Sequence, residues 1–128
     1  MGGLTGKRVL IIEDEPIITM ILEDIVDDLG MTVSACGSTL AEASELARVS
    51  DCDAAIFDIN LHGQMSYPAA EILARRGVPL VFVTGYARDR VPPLLANAPV
   101  LPKPYQAHEI AAALAGVLGL SDASCRPA

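Results

Sequence analysis

Three short runs of apolar residues, Val9–Ile12, Ala54–Phe57 and Val78–Val83, constrain this chain more than anything else in it. A strand with one wet face alternates apolar and polar residues. A run without polar interruption reads as a strand covered on both faces, the usual state of a central strand in a parallel sheet. Two weaker candidates accompany them: Met31–Cys36 alternates faintly, and Val100-Leu101 is very short. Between these runs the period changes to that of a helix. Pro16 suits a first helical turn. Ile18, Ile21, Leu22, Ile25, Val26 and Leu29 then form an apolar stripe read as core, and Gly30 stops it. Thr39 and Glu42 form a capping-box pattern for a helix to about Val49. Ser66–Arg76 and Gln106–Leu118 read as two more helices. Pro92-Pro93 and Pro99 leave room only for a short helix near Leu94–Asn97, so the fourth helix is expected to be irregular.

Strand and helix therefore alternate five times, which right-handed crossovers turn into an α/β sandwich with helices on both faces of a parallel sheet. The fully apolar strands belong at the centre and the weak ones at the edges. The resulting strand order is 2-1-3-4-5, with the topological switch between the first and third strands.

The 128 residues make one domain, and 52% hydrophobic residues supply a full core. Residues 1–6 are expected to be loose, 7–118 to form the domain and 119–128 to be a frayed tail. A net charge of −7 and a pI near 4.6 oppose nonspecific binding to nucleic acid or to an anionic membrane. No apolar run reaches the ~18 residues of a membrane span, and no signal-peptide pattern opens the chain. Three cysteines, Cys36, Cys52 and Cys125, are odd in number and widely spaced, which points to a reducing cytoplasm rather than a disulfide framework.

The chemistry collects where the strands end. Glu13 and Asp14 follow the first strand, Asp58 the third, Thr84 the fourth and Lys103 the fifth. Ligands in open α/β sheets lie at such carboxyl ends. Two unit charges about 4 Å apart repel by roughly 4 kcal/mol at an effective dielectric near 20, so three converging carboxylates need relief. Hard oxygen donors, with no His or Cys expected beside them, favour Mg²⁺. Lys103 adds a compact positive charge, Thr84 a hydroxyl, and Gly85 open space. A carboxylate nucleophile with a cation and an ammonium close by is a site for handling a phosphoryl group.

At these residues the chain resembles the receiver domain of two-component response regulators, over about Lys7 to Leu118. The resemblance implies a flavodoxin-like (βα)5 fold and a signalling protein rather than an enzyme in the ordinary sense. It implies phosphoryl acceptance on Asp58 from a phosphohistidine on a sensor histidine kinase or histidine phosphotransfer protein. Asp14, Asp58 and the main-chain carbonyl of Asn60 would hold Mg²⁺, with Glu13 acting through water. Thr84 and Lys103 would grip the phosphoryl oxygens, and the Lys103–Pro104 bond would be cis. Receivers commonly carry an aromatic switch residue three positions before the Lys; here it is Val100. Phe82-Val83-Thr84-Gly85-Tyr86 resembles a variant of the Phe-Ala-Thr-Gly-x-Tyr subgroup, which moves the expected switch to Tyr86 and the 87–99 segment.

On this reading the chain is a stand-alone receiver, a monomer or weak dimer, that signals to a downstream protein target. The alternatives are a receiver module of a hybrid kinase, a phosphorylation-independent pseudo-receiver adaptor and a metal-dependent phosphate-ester hydrolase. His62 is read as a loop residue outside the ligand set and His108 as solvated.

Overall fold

The computed structural model describes residues 3–85 and 91–119. Tyr86, Cys125 and the tail from residue 120 lie outside them. The ordered elements are β1 (Arg8–Ile12), α1 (Pro16–Asp28), β2 (Thr32–Gly37), α2 (Leu40–Val49), β3 (Ala54–Asp58), β4 (Asn60–Leu61), β5 (Gln64–Met65), α3 (Tyr67–Arg75), β6 (Leu80–Thr84), a 3₁₀ turn (Pro93–Leu95), β7 (Val100–Pro102) and α4 (Ala107–Val117). Five strands form a parallel sheet in the order β2-β1-β3-β6-β7. This is the flavodoxin-like topology expected from the hydropathy; β4 and β5 are a separate small ladder.

Every residue of β3 and β6 is buried. Successive side chains of a strand point to opposite faces, and each face of the sheet has its own core. Leu10, Ile12, Ala55, Phe57 and Phe82 pack under α2 and α3. Val9, Ile11, Ile56, Val81 and Val83 pack under α1 and α4. Phe82 anchors the first of these layers. Its ring meets Phe57 edge-on at 6.4 Å and Tyr67 at 5.8 Å, arrangements that favour aromatic pairs beyond their buried area. Arg76 ties two helices together: its guanidinium donates to the carbonyls of Ala47 and Ser50 at the end of α2.

Gly37 closes β2 at a point of close approach. A Cβ there would lie 3.0 Å from Ile12 Cδ1 and 3.1 Å from Leu46 Cδ1. Its carbonyl accepts the Glu13 N–H at 3.0 Å.

Several local expectations are corrected. The residues after Asp58, Ile59–Gly63, read from the sequence as a loop around His62, are not a plain loop. Asn60 pairs with Met65 and Leu61 with Gln64 in an antiparallel hairpin, turned by His62 (φ 52°) and Gly63 (φ 86°). Two consecutive positive φ values suit a tight hairpin turn. The fourth helix is irregular as expected: among the described residues it is a 3₁₀ turn at Pro93–Leu95, slightly before the Leu94–Asn97 stretch expected, and prolines at 92 and 93 cannot donate to a helical ladder. Half of the Thr39–Glu42 capping box forms: Thr39 Oγ1 accepts the Glu42 N–H at 3.1 Å. The Glu42 carboxylate goes one residue further back, to the Ser38 N–H and hydroxyl at 2.8 and 3.1 Å. In α1 the core stripe is narrower than expected. Leu22 and Val26 are fully buried, but Ile21 is 45% exposed and shares an outer face with Ile17 and Met20.

Phe82→Ala should cost about 3–5 kcal/mol, the usual loss for a buried phenylalanine that meets other rings. Urea unfolding followed by circular dichroism measures it, with a lower midpoint and an unchanged slope as the expected result.

Candidate functional site

The parallel register sets the site. Ile12 lies beside Phe57, and Phe57 and Asp58 lie beside Phe82 and Val83, so Glu13 and Asp58 leave β1 and β3 at one level and Thr84 follows one residue further along β6. One carboxylate oxygen from each of Glu13, Asp14 and Asp58 lies within 4.8 Å of the others. Glu13 and Asp58 are almost fully buried, at 1% and 4% exposure. Thr84 is buried at the end of β6, and its main-chain carbonyl accepts the Lys103 N–H at 2.7 Å. The Lys103 side chain extends from there over the end of β3.

The ammonium then reaches three acids. Lys103 Nζ is 3.1 Å from Asp58 Oδ2, 3.3 Å from Glu13 Oε1 and 3.7 Å from Glu15 Oε1. The Lys103–Pro104 bond is cis. The cleft is floored by Asp14, Glu15, Asp58, Asn60, Gly85 and Lys103.

The hairpin after β3 contributes backbone. Asn60 N–H donates to Asp58 Oδ1 at 3.2 Å, and Gly63 N–H donates to Asn60 Oδ1 at 2.8 Å. The Asn60 side chain is thus spent on the turn. His62 N–H donates to Asp14 Oδ2 at 3.0 Å, and its Nδ1 lies 3.7 Å from the same oxygen. The expectation that no histidine stands near the acids is therefore corrected. Sequence reasoning gave no place at the site to Glu15, which lines the cleft, or to His62, which stands beside Asp14. The spacing of Glu15 from Glu13 was visible, but nothing in the sequence indicates which way its side chain turns.

Val100 pairs with Phe82 and packs, half-buried, on the α2/α3 core, where an aliphatic side chain replaces the expected aromatic. His108 is exposed, as expected.

Electrostatics follow from burial and neighbours. Burial, then the hydrogen bond and charge of Asp58, push the Glu13 carboxyl from 4.5 up to about 8. Burial alone would raise Asp14 as well, but the His62 N–H and other donors hold it below the ordinary carboxylate value. Burial works against the Lys103 ammonium, yet Asp58 and Glu13 together outweigh it and the net direction is upward. The Tyr105 phenol is pushed up to about 12 by burial and by the nearby Glu13 charge.

A divalent cation fits this donor set. The oxygens are hard, and Glu13 Oε1 is buried without a hydrogen-bond donor. Lys103 offers that atom charge at 3.3 Å but no aligned N–H. A small cation preferring carboxylate, carbonyl and water oxygens suits it.

The fold and this acid-lined cleft define a class. The chain belongs to the response regulator receiver domain family, which matches residues 9–115. It is 43% identical to SdrG from Sphingomonas melonis Fr1, whose solution structure it matches over 92% of this chain and 99% of that one with a TM-score of 0.76. It is 33% identical to the phyllosphere-induced regulator PhyR of Methylorubrum extorquens over 88% of this chain. That alignment takes in 44% of PhyR, so the chain spans less than half of this curated relative. The receiver domain of the sensor histidine kinase PA1611 from Pseudomonas aeruginosa PAO1 is 25% identical, over 90% of this chain and 99% of that one, with a TM-score of 0.75. Its structure has a magnesium ion coordinated in the active-site cleft.

The Glu13 shift has a definite sign. Folded protein keeps a proton that the unfolded chain loses above about 4.5. This contribution to stability is whole below that pH and is lost as pH rises through about 8. Thermal melts in a chelator should show that decline, Glu13→Gln should remove most of it, and added Mg²⁺ should protect more at the alkaline end.

Proposed function

We propose that this chain is a phosphorylatable receiver in which Asp58 accepts a phosphoryl group from a phosphohistidine donor. The observation that supports this best is the meeting of Glu13, Asp14 and Asp58 within 4.8 Å, with Lys103 Nζ 3.1 Å from Asp58 Oδ2. Asp14, Asp58 and the Asn60 carbonyl would hold Mg²⁺, with Glu13 acting through water. When bound, the cation supplies positive charge to the oxygens of the transferring group.

The protein's own groups do the rest. An oxygen of Asp58 attacks phosphorus, the donor P–N bond breaks, and its electron pair returns to the donor imidazole. Lys103, already held over Asp58, moves its ammonium onto a phosphoryl oxygen. The Thr84 hydroxyl holds a second oxygen. Gly85 has no side chain to fill the space above them, and a Cβ there would meet only Lys103 Cδ at 3.9 Å.

The donor is a sensor histidine kinase or a histidine phosphotransfer protein. Its docking surface is the outer face of α1, where Ile17, Met20 and Ile21 are exposed at 72%, 63% and 45%, one turn from the cleft. Apolar side chains grouped in this way beside a reactive site suit a protein partner. The response passes through Tyr86, the 87–99 segment and Val100 to a downstream protein, in the cytoplasm. Autodephosphorylation would be the only turnover.

Intact mass spectrometry after incubation with a phosphohistidine donor and Mg²⁺ tests the reading. One phosphoryl adduct is expected, absent in Asp58→Asn and absent when Mg²⁺ is chelated. Lys103→Ala should slow formation at least tenfold. An adduct that survives in Asp58→Asn would overturn the assignment.

A further inference from the structure

Glu15 stands at a helix start without doing a capping residue's work. It is the N-cap of α1, with extended backbone angles (φ −101°, ψ 115°), yet its carboxylate makes no hydrogen bond to the first turn. A capping side chain such as Asp or Ser accepts from the second or third N–H of its helix. Here the side chain turns the other way. It lines the cleft and lies 3.7 Å from Lys103 Nζ, while remaining 65% exposed at the mouth. Behind it lie Glu13, Asp14 and Asp58. Among the described residues of this cleft, four carboxylates face one ammonium. A divalent cation bound among Glu13, Asp14 and Asp58 would, with Lys103, balance those three when all are ionised; the charge of Glu15 is left over.

We infer that Glu15 is a specificity-determining residue that excludes free anionic phosphoryl donors from the cleft while admitting a donor held on a docked protein. This rests on Asp58 being the phosphoacceptor. A small phosphodonor must bring its own negative charge past Glu15 with no contact outside the cleft to offset the repulsion. A protein-held phosphohistidine offsets that repulsion with contact area elsewhere. The effect is one of charge at the entrance, so it depends on donor charge and on salt.

The test uses the intact chain and Mg²⁺, with adduct formation read by mass spectrometry. At low salt, Glu15→Gln should accelerate labelling by dianionic acetyl phosphate by roughly three- to tenfold, the scale of one extra charge in a solvent-rich cleft. The gain should be smaller for monoanionic phosphoramidate and should shrink in high salt. Transfer from a phosphohistidine protein should change less than twofold. Asp28→Asn removes the same charge from the far, exposed end of α1, about 20 Å away along the helix, and should leave all rates unchanged.

Equal acceleration with every donor and at every salt concentration would overturn the inference and assign Glu15 only to restraining Lys103. No acceleration would overturn it too. If the unmodified protein gives no adduct with any donor, the phosphoacceptor reading fails first and this one with it.

Discussion

The structure depends on how one ammonium is placed. Lys103 Nζ holds buried Asp58 and Glu13 at 3.1 and 3.3 Å, and without it two desolvated carboxylates would face each other with nothing between them. Attraction to both raises the Lys103 pKa despite its partial burial. The lysine can occupy this position because its backbone is fixed first: the Thr84 carbonyl receives its N–H, and β7 is registered against β6 through Phe82 and Val100. The sheet therefore acts as a ruler. Three buried strands, with β7 alongside in parallel register, deliver polar residues to one end of the sheet, and the site inherits its geometry from core packing.

That division explains what could be read in advance. The strand order followed from apolar content alone, because only central strands lose their polar face. The acids, Thr84 and Lys103 were legible because strand ends in such a sheet converge whatever the side chains are. The hairpin after β3 was not legible. Its strands have two residues each, too few to show a period, and its turn uses a histidine at positive φ where asparagine or glycine is the usual cue. The outer face of α1 was misread for a related reason. Ile21 continues the apolar spacing of Ile18 and Leu22, but the sheet covers only part of the arc that spacing spans. Glu15 was hidden because a carboxylate at a helix start has an ordinary local use that here it does not serve.

The two faces of the sheet differ in construction. Under α2 and α3, three aromatic rings meet edge to face and Arg76 joins the helix ends through carbonyls. Under α1 and α4 the core is aliphatic, and the surface above α1 still exposes isoleucine and methionine. The first arrangement resists sliding through directional contacts. The second leaves apolar area for another molecule to cover, next to the cleft.

Gly37 gives the fold an unexpected sensitivity. Its missing side chain admits Ile12 and Leu46, while its carbonyl fixes the backbone of Glu13. One position thereby indexes the seating of α2 and the height of the deepest acid. A methyl group added there would press on the ends of the Ile12 and Leu46 side chains, one on each side of the backbone bond that seats Glu13. A crowded side chain on the edge strand would therefore be felt first where β1 hands its acid to the cleft.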